Sequence, residues 1–285
     1  MRCEEISLPG SGPYGVTTGP DGALWVTLVH SGQIARVDGG EVDVFDVGDG
    51  PSVITAGPDG ALWCTLLREH ALGRVTTGGE VRKVALAPGC GPYGITAGPD
   101  GALWCTEMNT GRVARVTVDG AVTEFPLGAE DSYPSAIAAG ADGALWLTLN
   151  QAGALARVTV DGQVECFPLP TAQAAPVGIT CGPDGEVWCT EIAAGQLARR
   201  RADGRIEEFP LPDRAARPHA VAADGRGGCW FTEWGANRVG HLDADGAFEH
   251  LTLPTPESEP HGLTVRQDGT VAVALEVGKV AFVSA

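Results

Sequence analysis

Basic residues are scarce in this chain: 19 Lys and Arg stand against 36 Asp and Glu in 285 residues, for a formal net charge of −17. A nucleic-acid binder carries a basic stripe for the phosphate backbone. None is visible, which argues against a polyanionic partner. Also missing is any apolar run approaching the ~20 residues that a membrane-spanning helix needs, so no membrane partner is expected. The opening residues Met1-Arg2-Cys3-Glu4-Glu5 lack the apolar stretch of a secretory signal, and the expectation is a soluble cytoplasmic protein. Charged residues are only 19% of the chain and hydrophobic ones 44%, too apolar for a disordered acidic segment. Among eight cysteines there is no C-x2-C pair. Cys64, Cys105 and Cys189 each follow a Trp within an apolar run, and Cys229 precedes one. That pattern suits reduced thiols packed as small hydrophobes rather than disulfides or zinc ligands.

What the chain has in abundance is glycine, 41 residues, and proline, 20, and both recur periodically. The stretch PYGITAGPDGALWCTEMNTGRVARVTVDGAVTEFPL, starting at Pro92, reappears with small changes along the sequence. Its Trp falls at 25, 63, 104, 146, 188 and 230, and a seventh copy begins at Pro260 with Ala272 in the Trp position. Each unit reads as four short strands. In the third these are 94–98, 102–106, 112–116 and 121–125, separated by the Pro99-Asp100-Gly101 turn, a loop at 108–111 and the Asp119-Gly120 turn. No unit carries a helical period. Seven copies of a four-stranded unit of about 40 residues predict an all-β, seven-bladed β-propeller filling residues 1–285 as one domain. The last copy ends after its third strand, and Glu4-Glu5-Ile6-Ser7-Leu8-Pro9 resembles the fourth-strand ends elsewhere. The N-terminus is therefore expected to complete the last blade and close the ring.

Blade topology then places side chains. The first strand is innermost, so the residue after each repeated Pro should edge the central channel: Tyr14, Ser52, Tyr93, Ser135, Val177, His219 and His261. The second strands end at the same upper rim, with Glu107, Glu191 and Glu233 three residues after their Trp. In the last blade the matching residue is Leu275, followed at once by Glu276, and a loop one residue short leaves that register open by one. Glu259 lies two residues before His261. One sector of the rim thus gathers His219, Glu233, Glu259, His261 and Glu276, with Tyr14 brought alongside by ring closure. Converging carboxylates are hard oxygen ligands suited to Mg2+ or Ca2+. A neutral imidazole beside such a cation can take a proton near neutral pH. The repeated Trp residues are expected in the core. Glu107 and Glu191 read as solvated rim charges or loop acceptors, and Glu233 as either a site residue or a cap on its own loop. Tyr93 reads as structural, and His30, His70, His241 and His250 as surface residues.

Over essentially its whole length the chain resembles the virginiamycin B lyase family, enzymes that inactivate streptogramin B antibiotics. The specific segments are Pro218-His219-Ala220, Trp230-Phe231-Thr232-Glu233-Trp234-Gly235-Ala236-Asn237-Arg238, Ser258-Glu259-Pro260-His261-Gly262 and Ala274-Leu275-Glu276. The resemblance implies a monomeric propeller that requires Mg2+ and opens a small cyclic depsipeptide at its threonyl ester by elimination, without water. It implies His261 as the general base, Glu259 and Glu276 as Mg2+ ligands, and His219 as a substrate contact near the leaving group. Tyr14 and Glu233 are further candidate substrate contacts. Two other functions use the same architecture: a metal-dependent lactonase, which would add water to its product, and a noncatalytic interaction propeller, because a fold alone never fixes function.

Overall fold

The structure, a computed structural model, describes residues 1–128 and 130–284. Its strands form seven four-stranded antiparallel sheets. Six are consecutive in sequence: blade 1 at 13–46, blade 2 at 51–85, blade 3 at 92–126, blade 4 at 134–168, blade 5 at 176–210 and blade 6 at 218–252. Blade 7 takes three strands from the C-terminal end, Pro260–Val265, Val271–Leu275 and Lys279–Ser284, and its outer strand, Arg2–Ser7, from the N-terminal end. Cys3 lies opposite Val283 and Ile6 opposite Val280, so the predicted closure is present. In the third unit the first strand begins at Pro92, two residues before the predicted start, and the second and fourth strands are shifted by one, to Leu103–Glu107 and Val122–Pro126.

The repeated residue types explain the repeated geometry. In blade 1, Asp21 of the first turn accepts hydrogen bonds from the Ala23 N–H and the Trp25 indole with Oδ1, while Oδ2 takes Arg36 at 2.7 Å. Asp59, Asp100 and Asp142 repeat this with Trp63 and Arg74, Trp104 and Arg115, and Trp146 and Arg157. A buried indole N–H needs an acceptor, and the turn aspartate supplies it while fixing the hairpin. In blade 6 His241 replaces the arginine, bonding Asp224 at 2.9 Å and packing on Trp230. It is therefore part of a structural triad, not the surface residue expected. All six repeated Trp side chains are buried, as expected. They pack between blades: Trp63 of blade 2 with Leu103 and Cys105 of blade 3, Trp188 of blade 5 with Phe231 of blade 6. The cysteines are free thiols, with Cys64, Cys105, Cys189 and Cys229 fully buried. Burial pushes the Cys64 thiol up to about 12.

Two devices hold the channel edge. Each innermost strand has a register shift just after its Pro, and such bulges re-aim the side chains they contain. The shifted pair is the ring residue and its successor, which is Gly or Ala in six of the blades, as in Tyr14-Gly15, His219-Ala220 and His261-Gly262, and Val53 in blade 2. Adjacent inner strands approach so closely here that a Cβ on Gly178 would lie 2.4 Å from the His219 carbonyl oxygen. Second, the Thr of each of the first six Trp-x-Thr units donates to the ring carbonyl of the next blade. Thr190 holds His219 at 2.8 Å and Thr232 holds His261 at 2.9 Å. Blade 7 has Ala274 in that position, so the seam between blades 7 and 1 lacks this latch.

Candidate active site

The ring residues meet at the upper mouth of the channel. His219 and His261 have ring centroids 5.0 Å apart and nearly perpendicular planes. Tyr14 lies against both, 4.4 Å from His261 and 6.0 Å from His219. Its hydroxyl is 2.7 Å from that of Tyr93, so the two phenols join although blade 2 lies between their strands in the chain. Below them runs a cavity of about 200 Å3 lined by Val16, Val53, Ile95, Ile179 and the inner-strand glycines.

The acidic residues reach the same mouth from the rim. In every blade the residue before the strand-leading Pro has positive φ, and Glu259 is the blade 7 example at 49°. Its carbonyl accepts the Glu276 N–H at 3.2 Å, and the same bond joins Trp234 to Arg217 in blade 6 and Met108 to Gly91 in blade 3. The one-residue ambiguity is thereby resolved. Pro260 lies opposite Leu275 just as Pro92 lies opposite Glu107, so Glu276 is the counterpart of Met108 and Trp234. One step along a strand reverses the side-chain direction. Leu275 is accordingly buried in the sheet, while Glu276 faces the mouth. Upstream, Asn237 fixes the entry loop: its Nδ2 donates to the Leu253 and Thr255 carbonyls, and its Oδ1 accepts from the Ser258 N–H and hydroxyl.

One ligand atom each from Glu259, His261 and Glu276 lies within 4.8 Å of the others. One Glu276 oxygen contacts His261 Nε2 in a short hydrogen bond, and the other is 2.7 Å from His30 Nε2. Burial tends to raise the Glu276 carboxyl, but these two imidazoles outweigh it and hold the group below its ordinary value. Burial pushes the His261 imidazole down, against the opposing pull of Glu276. His219 is partly buried at the channel edge, and burial, with His261 adding to it, lowers it to about 3. Both imidazoles are thus neutral near pH 7. The Nδ1 atoms of His219 and His261 are buried without a partner.

Other predicted rim residues are placed differently. Glu233 is fully buried inside blade 6, where Arg238 at 2.8 Å and His250 at 3.0 Å occupy its carboxylate. It is not a substrate contact, because a carboxylate neutralised inside a sheet has no free face. His250 is consequently structural, not a surface residue. Glu107 and Glu191 are buried rather than solvated: Thr110 donates to Glu107 and Gln196 to Glu191. They retain the loop-acceptor role also expected of them. His30 joins the site although 246 residues separate it from Glu276. The sequence signal for it is ring closure, which seats the blade 1 rim, His30 as well as Tyr14, beside blade 7.

The description "Virginiamycin B lyase family" attaches to a family model that matches residues 1–283. The chain belongs to this family. Virginiamycin B lyase from Staphylococcus aureus has a solved structure that superposes with a TM-score of 0.94 at 37% identity, covering 99% of this chain and 98% of that one. A catalytically inactive variant of that enzyme, crystallised with quinupristin, gives 0.95 at 37% identity, covering 99% and 98%. Curated virginiamycin B lyases match over short stretches. The one from Saccharopolyspora erythraea is 64% identical over 42 residues, 14% of each chain. A hydrazine synthase at 16% identity and TM-score 0.81 shares the fold alone. The family thus rests on the whole-length matches, and the blade repeat by itself does not distinguish it.

Proposed function

We propose that this chain is a Mg2+-dependent carbon–oxygen lyase that linearises streptogramin B-type cyclic depsipeptides at the threonyl ester and so confers resistance to them. The observation that carries this is the meeting of His261, Glu259 and Glu276 beside a neutral His219, in a chain of this family. Two carboxylates at one point fit a hard divalent cation that keeps several waters, and they leave the neutral imidazole of His261 free to act as a base. Glu259 and Glu276 would hold Mg2+, which when bound supplies Lewis-acid polarisation of the carbonyl next to the threonyl Cα.

The chain's own residues do the remaining work. In the structure Nε2 of His261 carries the proton shared with the Glu276 carboxylate. With that carboxylate given over to the cation, His261 would carry its proton on the buried Nδ1 and take the threonyl Cα proton at Nε2, the nitrogen turned toward the mouth. The electron pair left on Cα forms the Cα=Cβ double bond, and the Cβ–O bond breaks with its pair leaving on the ester oxygen as a carboxylate. That leaving group is a weak base, so a hydrogen bond from neutral His219 suffices without full proton transfer. Tyr14, packed on both imidazoles, forms the wall against which the substrate ring sits. No nucleophile is needed. Ser258, the hydroxyl nearest in sequence to the site, is fully buried and donates to Asn237. The enzyme is proposed to act as a cytoplasmic monomer.

Incubation with quinupristin and Mg2+ followed by mass spectrometry tests the reaction. Elimination leaves the linear product equal in mass to the substrate and adds an alkene. A product heavier by one water would establish a lactonase, and an unaltered depsipeptide would remove the lyase reading.

A further inference from the structure

His30 sits in the upper turn of blade 1, across the closure seam from Glu276. Its Nε2 is 2.7 Å from Glu276 Oε1, while Oε2 of the same carboxylate meets His261. Each oxygen of Glu276 is therefore tied to an imidazole from a different blade. His30 is itself located: its backbone N–H donates to the Ser11 carbonyl at 3.3 Å, and the edge of its ring packs on Gly12 so closely that a Cβ there would lie 2.5 Å from Cδ2. A second observation gives this tie its importance. At the other six blade boundaries a buried Thr latches the ring carbonyl of the next blade, but at this seam the position is Ala274. The side-chain bond that spans the seam at the mouth of the site is His30 to Glu276.

We propose that His30 is a positioning residue that clamps Glu276 by Oε1 and so presents Oε2 toward Glu259 and His261. This rests on the reading of Glu276 as a cation ligand. Glu276 follows the last residue of a strand and its side chain is 24% exposed, so without the clamp its three side-chain torsions would sample several rotamers. Groups that orient a ligating side chain typically carry about 10- to 100-fold in metal affinity. His30 is half-exposed and lies outside every core cluster, so its replacement leaves the fold intact.

Mg2+ titrated calorimetrically into the full-length protein tests the clamp. His30→Ala should weaken Mg2+ binding by about 10-fold or more and raise the Mg2+ concentration for half-maximal activity by a similar factor, with the substrate KM unchanged. His30→Gln, whose amide can donate near the Nε2 position, should recover most of the loss. Unchanged or tighter Mg2+ binding in His30→Ala, with Glu276→Gln clearly weakened, would overturn the clamp while leaving the metal reading in place. If Glu276→Gln also binds Mg2+ normally, the metal reading fails and takes the clamp with it. A loss that His30→Gln does not recover would show that packing on Gly12, not the hydrogen bond, is what His30 supplies, and would likewise overturn the proposal.

Discussion

At the scale of single residues, His261 is both placed and tuned. Its carbonyl is latched by Thr232, its ring lies between Tyr14 and Glu276, and burial keeps it neutral. His261→Ala should reduce turnover by at least ~100-fold while leaving the melting temperature within a few degrees of the parent; a near-normal rate would remove it as the base. Thr232→Val is isosteric but deletes the bonds to the His261 carbonyl and the Ala220 N–H. Two buried backbone groups then lose a partner, so chemical denaturation should show a loss of ~1–3 kcal/mol. Turnover should fall too, because the innermost strand carrying the proposed base is no longer pinned. A denaturation midpoint matching the parent would show that this carbonyl and this N–H are satisfied otherwise.

At the scale of the blade, position within the repeat decides what an acidic side chain does. Glu107, Glu191, Glu233 and Leu275 occupy one register and point into the sheet, while Glu276, one residue on, points to the mouth. Glu233 has Arg238 and His250 to neutralise it. Glu191 receives the amide of Gln196, and burial, with the nearby Glu208 carboxylate adding to it, raises its carboxyl from an ordinary value of 4.5 to about 7. A carboxyl raised in this way binds its proton more tightly in the folded state than in the unfolded one. Stability therefore falls as pH rises from about 4.5 to about 7 and is level above that, a cost of up to ~3 kcal/mol. Glu191→Gln keeps an acceptor for Gln196 and cannot ionise. It should raise the melting temperature at pH 8 and change it little at pH 5, and equal effects at both pH values would contradict a buried, proton-holding Glu191.

For the whole molecule, closure is the main structural commitment. The strand Arg2–Ser7 covers the edge of Lys279–Ser284, and Cys3 and Ile6 pack onto the cores of blades 7 and 1. Deleting residues 1–7 would expose that edge and open the ring. The expected loss is ~4 kcal/mol, about 10 °C in melting temperature, with a tendency to associate in size-exclusion chromatography. An unchanged melting curve would show that the seam is held by the inner strands alone. EDTA, by contrast, should abolish activity and leave far-UV circular dichroism intact, because the seven blades are held by buried apolar side chains and backbone ladders rather than by a cation.

The fold was legible because its signals are local and repeated. A Pro, an Asp-Gly turn and a Trp returning at fixed spacing specify a blade wherever they occur, and seven blades leave one way to close. The ring residues were legible for the same reason, since register within a repeat says which side chain meets the channel. Glu233, Glu191 and His250 were not, because their fate depends on which neighbours share their sheet interior, and a carboxylate reads alike in sequence whether Arg238 faces it or water does. His30 and the Tyr14–Tyr93 pair were hidden because they are contacts between distant blades. Periodicity thus dictated the architecture and nominated His219, His261, Glu259 and Glu276. Only the closed ring decided which of the other polar groups turn toward them, because burial and opposing charge act through space and carry no trace in the order of the chain.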